Sequence, residues 1–140
     1  ACSSWFLPRI VGISKALELC FSGELFSAKD ALKFGLVNYL FEPSELLNET
    51  KKIANKLISN TAPVSVALTR HMIWDMSSAS SPEDAHIIDS KAIDSRGASE
   101  DAAEGVMSFL EKREAEYVNK ISSDMPSFFP WRKSKFDKLK

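Results

Sequence analysis

The chain has 140 residues, of which 44% are hydrophobic, and its formal net charge is -1. This length corresponds to one domain or part of one, and it is sufficient to bury a core. The nearly balanced charge argues against a broad electrostatic attraction to nucleic acid or to acidic substrates.

Short helices are expected in the N-terminal part of the chain. Two glycines bracket a mostly apolar helix over residues 14–22. Ser27 and Asp30 have the spacing of a capping box, which predicts that a second helix begins there and ends at Gly35. Residues 36–41 are apolar and partly β-branched, which predicts one brief extended segment that serves as an edge or a linker.

Four further helices are predicted in the rest of the chain. Each start combines a proline or a capping serine with apolar residues at three- and four-residue steps. The starts are marked by Pro43, Pro63, Ser81 and Ser99. The last helix is expected to extend to Tyr117 or Asn119. The chain is therefore predicted to be all-α, with about six helices and one short extended segment.

The composition changes after residue 120. Two prolines and several aromatic residues predict an extended segment whose aromatic side chains pack onto the rest of the chain. The end of this segment is basic, which indicates either contact with phosphates or, as the favoured interpretation, a solvated tail. The basic residues are Arg132, Lys133, Lys135, Lys138 and Lys140.

The cysteines indicate a cellular location, and the first residue indicates how the chain was produced. Cys2 and Cys20 show neither metal-ligand spacing nor a disulfide framework, which favours the cytoplasm. No apolar run approaches the roughly 20 residues that span a bilayer. The chain begins at Ala1 without a methionine, which favours a processed or truncated product.

The titratable residues offer only weak catalytic candidates. His71 and Asp75 lie four residues apart on a predicted helix, as a general base and its orienting carboxylate would. No nucleophile or third metal ligand accompanies them, so a surface pair is the favoured interpretation, and the same holds for His86 and Asp89.

Paired acids have an equally simple explanation. Glu83 with Asp84, and Glu100 with Asp101, fall in the first turns of predicted helices, where they complement the helix dipole. Capping is expected to explain both pairs fully. Residues 111–114 are predicted to form a solvated helix face.

Two stretches of the sequence carry a recognisable pattern. The first is FLPRIVGISKALELCFSGELFSAKDALKFGLVN over residues 6–38, and the second is DSRGASEDAAEGVMSFLEKR over residues 94–113. Together they resemble the enoyl-CoA hydratase/isomerase family, the crotonase superfamily. The resemblance implies that residues 1–120 are the helical C-terminal region of that fold and that residues 121–140 are an extension.

The resemblance also implies which part of the fold carries the chemistry and which part covers the pocket. In this family, two backbone N–H groups hold the thioester oxygen of an acyl-CoA, and acidic side chains move protons or activate water. The resemblance places these groups upstream of this chain, so no catalytic residue and no metal ligand are assigned within it. The helical half of the family covers the pocket, contacts neighbouring subunits and usually forms trimers.

Two site residues follow from the family's terminal SFxEKR helix. There, the aromatic and the lysine can reach the CoA that a neighbouring subunit holds, and they correspond to Phe109 and Lys112. An aromatic ring suits adenine stacking, and an ammonium suits a phosphate. The alternative, favoured for an isolated chain, is that Phe109 belongs to the core and that Lys112 is solvated.

Two functions remain in competition. The first is the C-terminal part of an acyl-CoA hydratase or isomerase, which uses a CoA thioester substrate without a separate cofactor and is inactive alone. The second is a stand-alone helical module that self-associates through exposed apolar faces.

Overall fold

The computed structural model describes residues 2–131, which form seven α-helices and no β-strand. The all-α prediction is confirmed, with one helix more than expected. None of these helices has the length and apolar character needed to cross a bilayer. The basic residues at 132–140 lie outside the described residues. The helices are α1 (Ser3–Val11), α2 (Ile13–Ser22), α3 (Ala28–Lys33), α4 (Leu46–Ile58), α5 (Pro63–Met76), α6 (Pro82–Gly97) and α7 (Glu100–Glu111).

The chain divides into two compact units, Ala1–Lys51 and Lys52–Lys140. In the first unit, α1 packs against α2. The sequence pattern did not indicate α1, which contains Pro8 and therefore lacks one backbone donor. Arg9 adds local contacts to this helix: its guanidinium donates to the Trp5 carbonyl at 2.9 Å and lies 3.4 Å from the centroid of the Trp5 ring.

α3 begins with the capping box that the sequence predicted. The Ser27 hydroxyl accepts the Asp30 N–H at 3.1 Å, and the Asp30 carboxylate accepts the Ser27 N–H at 3.1 Å. The chain turns after this helix at Gly35, whose φ of 74° is a left-handed conformation that suits glycine. Residues 36–41 pair with no strand in the described part of the chain, and they form a linker with two stacked aromatic rings.

The second unit packs α5 against α6 and α6 against α7. Pro63 and Pro82 occupy the first turns of α5 and α6, where a missing N–H breaks no helical hydrogen bond. Among the described residues of this unit, the buried apolar side chains are Val64 and Leu68 of α5 and Ala92 of α6. Its apolar core is therefore small and centred on α5.

The end of α7 differs from the prediction. The helix begins at the expected cap, Ser99, but it stops at Glu111 and does not continue to Tyr117 or Asn119. Residues 113–124, the return segment, instead fold back along α7. Side chains of the helix accept three backbone N–H groups of this segment, which are therefore satisfied without further helix.

The aromatic residues after the return segment pack onto the second unit, as expected. The Phe129 ring lies 4.8 Å from the His71 ring of α5 and 5.5 Å from the Trp131 ring, measured between centroids. In addition, a guanidinium nitrogen of Arg96 in α6 donates to the Asp124 carbonyl at 3.3 Å. These contacts attach residues 124–131 to α5 and α6.

Candidate functional site

One face of α7 carries the small and acidic side chains that contact the return segment. Asp101, Glu104, Gly105 and Ser108 recur at steps of three or four residues, so they share one side of the helix. Asp101 and Ser108 are 2% and 5% exposed. Gly105 faces the Tyr117 side chain of the segment, and a Cβ there would lie 3.6 Å from the Tyr117 hydroxyl oxygen, an ordinary van der Waals contact.

Asp101 is the buried attachment point of the return segment. One carboxylate oxygen accepts the N–H groups of Val118 at 2.9 Å and of Asn119 at 3.1 Å. The expectation that capping fully explains Asp101 together with Glu100 is therefore wrong. Asp101 does stand in the first turn of α7, but its carboxylate also makes a tertiary contact 17 residues along the chain.

Glu104 and Arg113 form a second attachment at the surface. The two guanidinium terminal nitrogens donate to the two Glu104 oxygens, the longer bond being 2.8 Å, and Glu104 also accepts the Glu116 N–H at 2.7 Å. Hydrogen bonding by Arg113 is the main cause that lowers the pKa of Glu104 to about 2. The same contact raises the pKa of Arg113. Residues 111–114 are exposed, as predicted, but α7 ends at Glu111, so they form a turn and not a helix face.

Lys112 makes the turn between α7 and the return segment. Its backbone is left-handed, with φ 55° and ψ 41°, which is uncommon for a residue other than glycine. The N–H of Arg113 donates to the Ser108 carbonyl at 3.1 Å, and the N–H of Lys112 donates to the Phe109 carbonyl. This pattern is a Schellman turn, and it satisfies carbonyls that the helix end leaves unpaired.

Phe109 and Lys112, the two predicted CoA-binding residues, line one shallow cleft of about 360 Å³. The Phe109 side chain is 82% exposed, so in this chain it does not belong to the core. An aromatic face and an ammonium thus stand at the same opening. The remaining lining residues are Asn60, Ser108, Arg113, Glu114, Ala115 and Tyr117.

Arg96 belongs to the second sequence motif, but no role was predicted for it. Its guanidinium donates to the Asn119 side-chain oxygen and to the Asp124 carbonyl, so it fixes the far end of the return segment. The buried Nε of Arg96 has no protein partner among the described residues. The available signal in the sequence was its position before Gly97 in the DSRGASED stretch, because an arginine near a helix end can contact residues beyond that end.

The other titratable candidates lie elsewhere. His71 packs against an aromatic ring of the C-terminal segment, whereas His86 is exposed on α6. The Ser81 hydroxyl hydrogen-bonds the Glu83 carboxylate and lowers its pKa, but Ser81 makes no side-chain capping bond to the backbone of α6. No group of three or more His, Cys, Asp or Glu side chains within residues 2–131 is arranged to hold a metal ion.

Two curated relatives illustrate what the sequence resembles. An enoyl-CoA hydratase of Alternaria alternata, ACTT3, is 40% identical over 114 residues, which cover 81% of this chain and 38% of that protein. The short-chain-enoyl-CoA hydratase of Clostridium acetobutylicum is 39% identical over 110 residues, which cover 79% of this chain and 41% of that protein. The chain thus spans about two fifths of the length of these relatives.

Solved structures give the same result for the fold. A probable enoyl-CoA hydratase/isomerase from Mycobacterium abscessus superimposes with a TM-score of 0.80 at 31% identity, covering 86% of this chain and 47% of that one. The family model described as enoyl-CoA hydratase/isomerase matches residues 1–120. The helical fold, both sequence motifs and these matches agree, and the chain belongs to the enoyl-CoA hydratase/isomerase family.

Proposed function

We propose that the chain is the helical C-terminal part of an acyl-CoA hydratase or isomerase. The whole protein would add water to an enoyl-CoA thioester or shift its double bond. One observation carries this proposal: the chain matches the family over residues 1–120, yet it spans only about two fifths of relatives that are named enoyl-CoA hydratases.

The chemistry is assigned to the part of the family that this chain does not match. Thioester activation needs paired N–H donors for the oxygen and a carboxyl group that transfers protons. The carboxylates described above are instead engaged in holding the return segment. We therefore assign no catalytic residue to this chain, and we expect crotonyl-CoA hydration by the chain alone to equal the background rate.

The role of the helical part is to cover the acyl-CoA pocket and to contact other subunits. Many large apolar side chains are exposed, and an isolated folded chain would leave them in water. Self-association, as a trimer in the complete protein, would bury part of this surface. The most exposed examples are Ile13, Phe21, Leu25, Ile93 and Phe109. Two free cysteines without a disulfide fit a cytoplasmic location.

The same exposure supports the second candidate, a helical self-association module without catalysis. Light scattering combined with the activity of a chimera separates the two. A module would associate on its own and would contribute nothing to an enzyme into which it is built.

The chimera replaces the matching 110 residues of the Clostridium acetobutylicum enzyme with those of this chain. We expect this chimera to hydrate crotonyl-CoA, whereas the same enzyme truncated before that segment should be inactive. A chimera that is folded by circular dichroism, has the assembly state of the parent enzyme and is nevertheless inactive would contradict the proposal.

Phe109 and Lys112 are proposed to contact the CoA moiety. The exposed ring offers a flat apolar surface to adenine, and the ammonium three residues later pairs with a phosphate. Calorimetric titration of the chain with CoA tests this assignment. Phe109→Ala should abolish measurable binding, whereas Leu110→Ala, which removes a neighbouring exposed side chain outside the cleft, should leave it unchanged.

A further inference from the structure

We propose that Glu104 and Arg113 are positioning residues for CoA binding, because they hold the turn that presents Lys112 and Phe109. The inference rests on the proposed function of those two residues, and it adds the device that orients them. Neither Glu104 nor Arg113 is proposed to contact the ligand.

The backbone of Lys112 depends on neighbouring contacts to keep its conformation. A left-handed conformation is unfavourable for a residue with a Cβ, so the turn persists only where neighbouring contacts hold it. Two backbone hydrogen bonds at the helix end contribute to this. The next residue, Arg113, provides the side-chain contacts.

The Arg113 guanidinium donates most of its N–H groups to other parts of this chain. Beyond its two bonds to Glu104, its Nε donates to Glu111 at 2.7 Å and a terminal nitrogen donates to the Glu114 carbonyl at 3.1 Å. A guanidinium has five N–H donors, and these four bonds occupy most of them. Most donors of Arg113 are therefore used within the protein, and Lys112 is the residue that would bind a phosphate.

Glu104 also holds the residues that follow the turn at Lys112. Glu104 also accepts the Glu116 N–H, so a single carboxylate joins the helix to the residues that follow Lys112. Because the turn is attached at both ends, the ammonium of Lys112 starts from a fixed backbone beside the Phe109 ring. Preorganisation of this kind increases affinity by reducing the ordering that binding must impose.

Electrostatics alone predicts the opposite effect of removing Glu104. Its negative charge lies near the cleft that would receive a polyanionic ligand, and its loss should strengthen CoA binding. Positioning predicts that the loss weakens binding. The sign of the change therefore distinguishes the two explanations.

The test uses NMR titration of the 140-residue chain with CoA, which reports folding and affinity in the same spectra. We expect Glu104→Gln to weaken binding about fivefold, and Arg113→Lys, which keeps the charge but loses the fork, to act similarly. Glu116→Gln is the charge-matched control, since only its backbone N–H contacts Glu104 and it does not line the cleft, and it should leave affinity unchanged or slightly increased.

A double-mutant cycle with Lys112→Met shows whether the pair acts through Lys112. If it does, Glu104→Gln has no further effect in the Lys112→Met background, because the group being positioned is already gone. Effects that add fully, or an affinity that rises in Glu104→Gln, would overturn the inference while leaving the proposed function intact. If CoA does not bind, or if Lys112→Met and Phe109→Ala bind as tightly as the native chain, the site assignment and this inference both fail. Should Glu104→Gln not fold, the Arg113→Lys cycle decides in the same way.

Discussion

The side-chain hydrogen bonds described in the two compact units of this chain differ in range. In the first unit, the pairs Ser27–Asp30 and Lys15–Glu18 connect residues three apart. In the second unit, the Asp101 carboxylate reaches 17 and 18 residues along the chain, and Arg96 reaches 28. The second unit thus has tertiary hydrogen bonds that attach a non-helical segment to its helices.

The second unit also buries larger apolar side chains than the first. Among the described residues of the first unit, only two small side chains, Ala16 and Ala31, are buried, whereas the second unit buries Val64 and Leu68 completely. Burial of large apolar side chains is the main favourable contribution to folding. We infer that the first unit depends more on capping and helix propensity, and that the second has a core which mutations can disrupt.

The largest expected effect is in that core. Leu68→Ala removes a side chain that is 1% exposed, and it should lower the free energy of unfolding by about 2–5 kcal/mol. Ile73→Ala, on the exposed surface of the same helix, should cost less than about 1 kcal/mol. Urea denaturation followed by tryptophan fluorescence measures both. Equal losses would mean that the second unit has no core of its own.

The next effect tests the tertiary hydrogen bonds. Asp101→Ala leaves two backbone N–H groups of the return segment without their acceptor, and it should cost about 1–3 kcal/mol. Its neighbour Glu100 is exposed in the same first turn, so Glu100→Ala controls for the helix dipole and should change stability by only a few tenths. Thermal unfolding measures the difference. If both variants lose the same small amount, Asp101 acts as a cap only.

The same contrast explains which elements could be predicted from sequence. The starts of α3, α5 and α7 depend on Ser27, Pro63 and Ser99, whose effects reach no further than one turn. The end of α7 depends on carboxylates that accept N–H groups 12 to 18 residues later. Periodicity does not record such partners, so the helix was expected to continue.

The site was predictable only in part for a related reason. Family resemblance indicated Phe109 and Lys112, and the structure places both at one cleft. The left-handed turn at Lys112 had no local signal, because lysine is not a residue that prefers this conformation. The acidic spacing of Asp101 and Glu104 on α7 was the available clue to the return segment, but first-turn acids have a simpler explanation in the helix dipole.

A smaller effect is expected from the local contacts of the first unit. Ser27→Ala removes one half of the capping box of α3 and should cost about 1 kcal/mol. The loss should appear as faster amide exchange in α3, with no change in the exchange of α5 or α7. Ser27→Thr keeps the hydroxyl and should retain most of the protection. A change in exchange that extends to α5 would show that Ser27 acts on more than the start of its own helix.

The smallest effect is expected from pH, because Glu104 and Arg113 lie at the surface, where solvent screens their attraction. The pKa of Glu104 falls from an ordinary 4.5 to about 2 in the folded chain. A lowered folded-state pKa means that the unfolded chain binds the proton more readily, so this contribution to stability is complete above pH 4.5. It declines as the pH falls from 4.5 towards 2.

Glu104→Gln isolates this contribution from those of the other acids. The stability difference between the native chain and the variant should be constant above pH 4.5 and should shrink below it, as urea midpoints at successive pH values would show. High salt should reduce the difference further. A difference that does not change between pH 5 and pH 2.5 would show that the charge of Glu104 has no part in attaching the return segment.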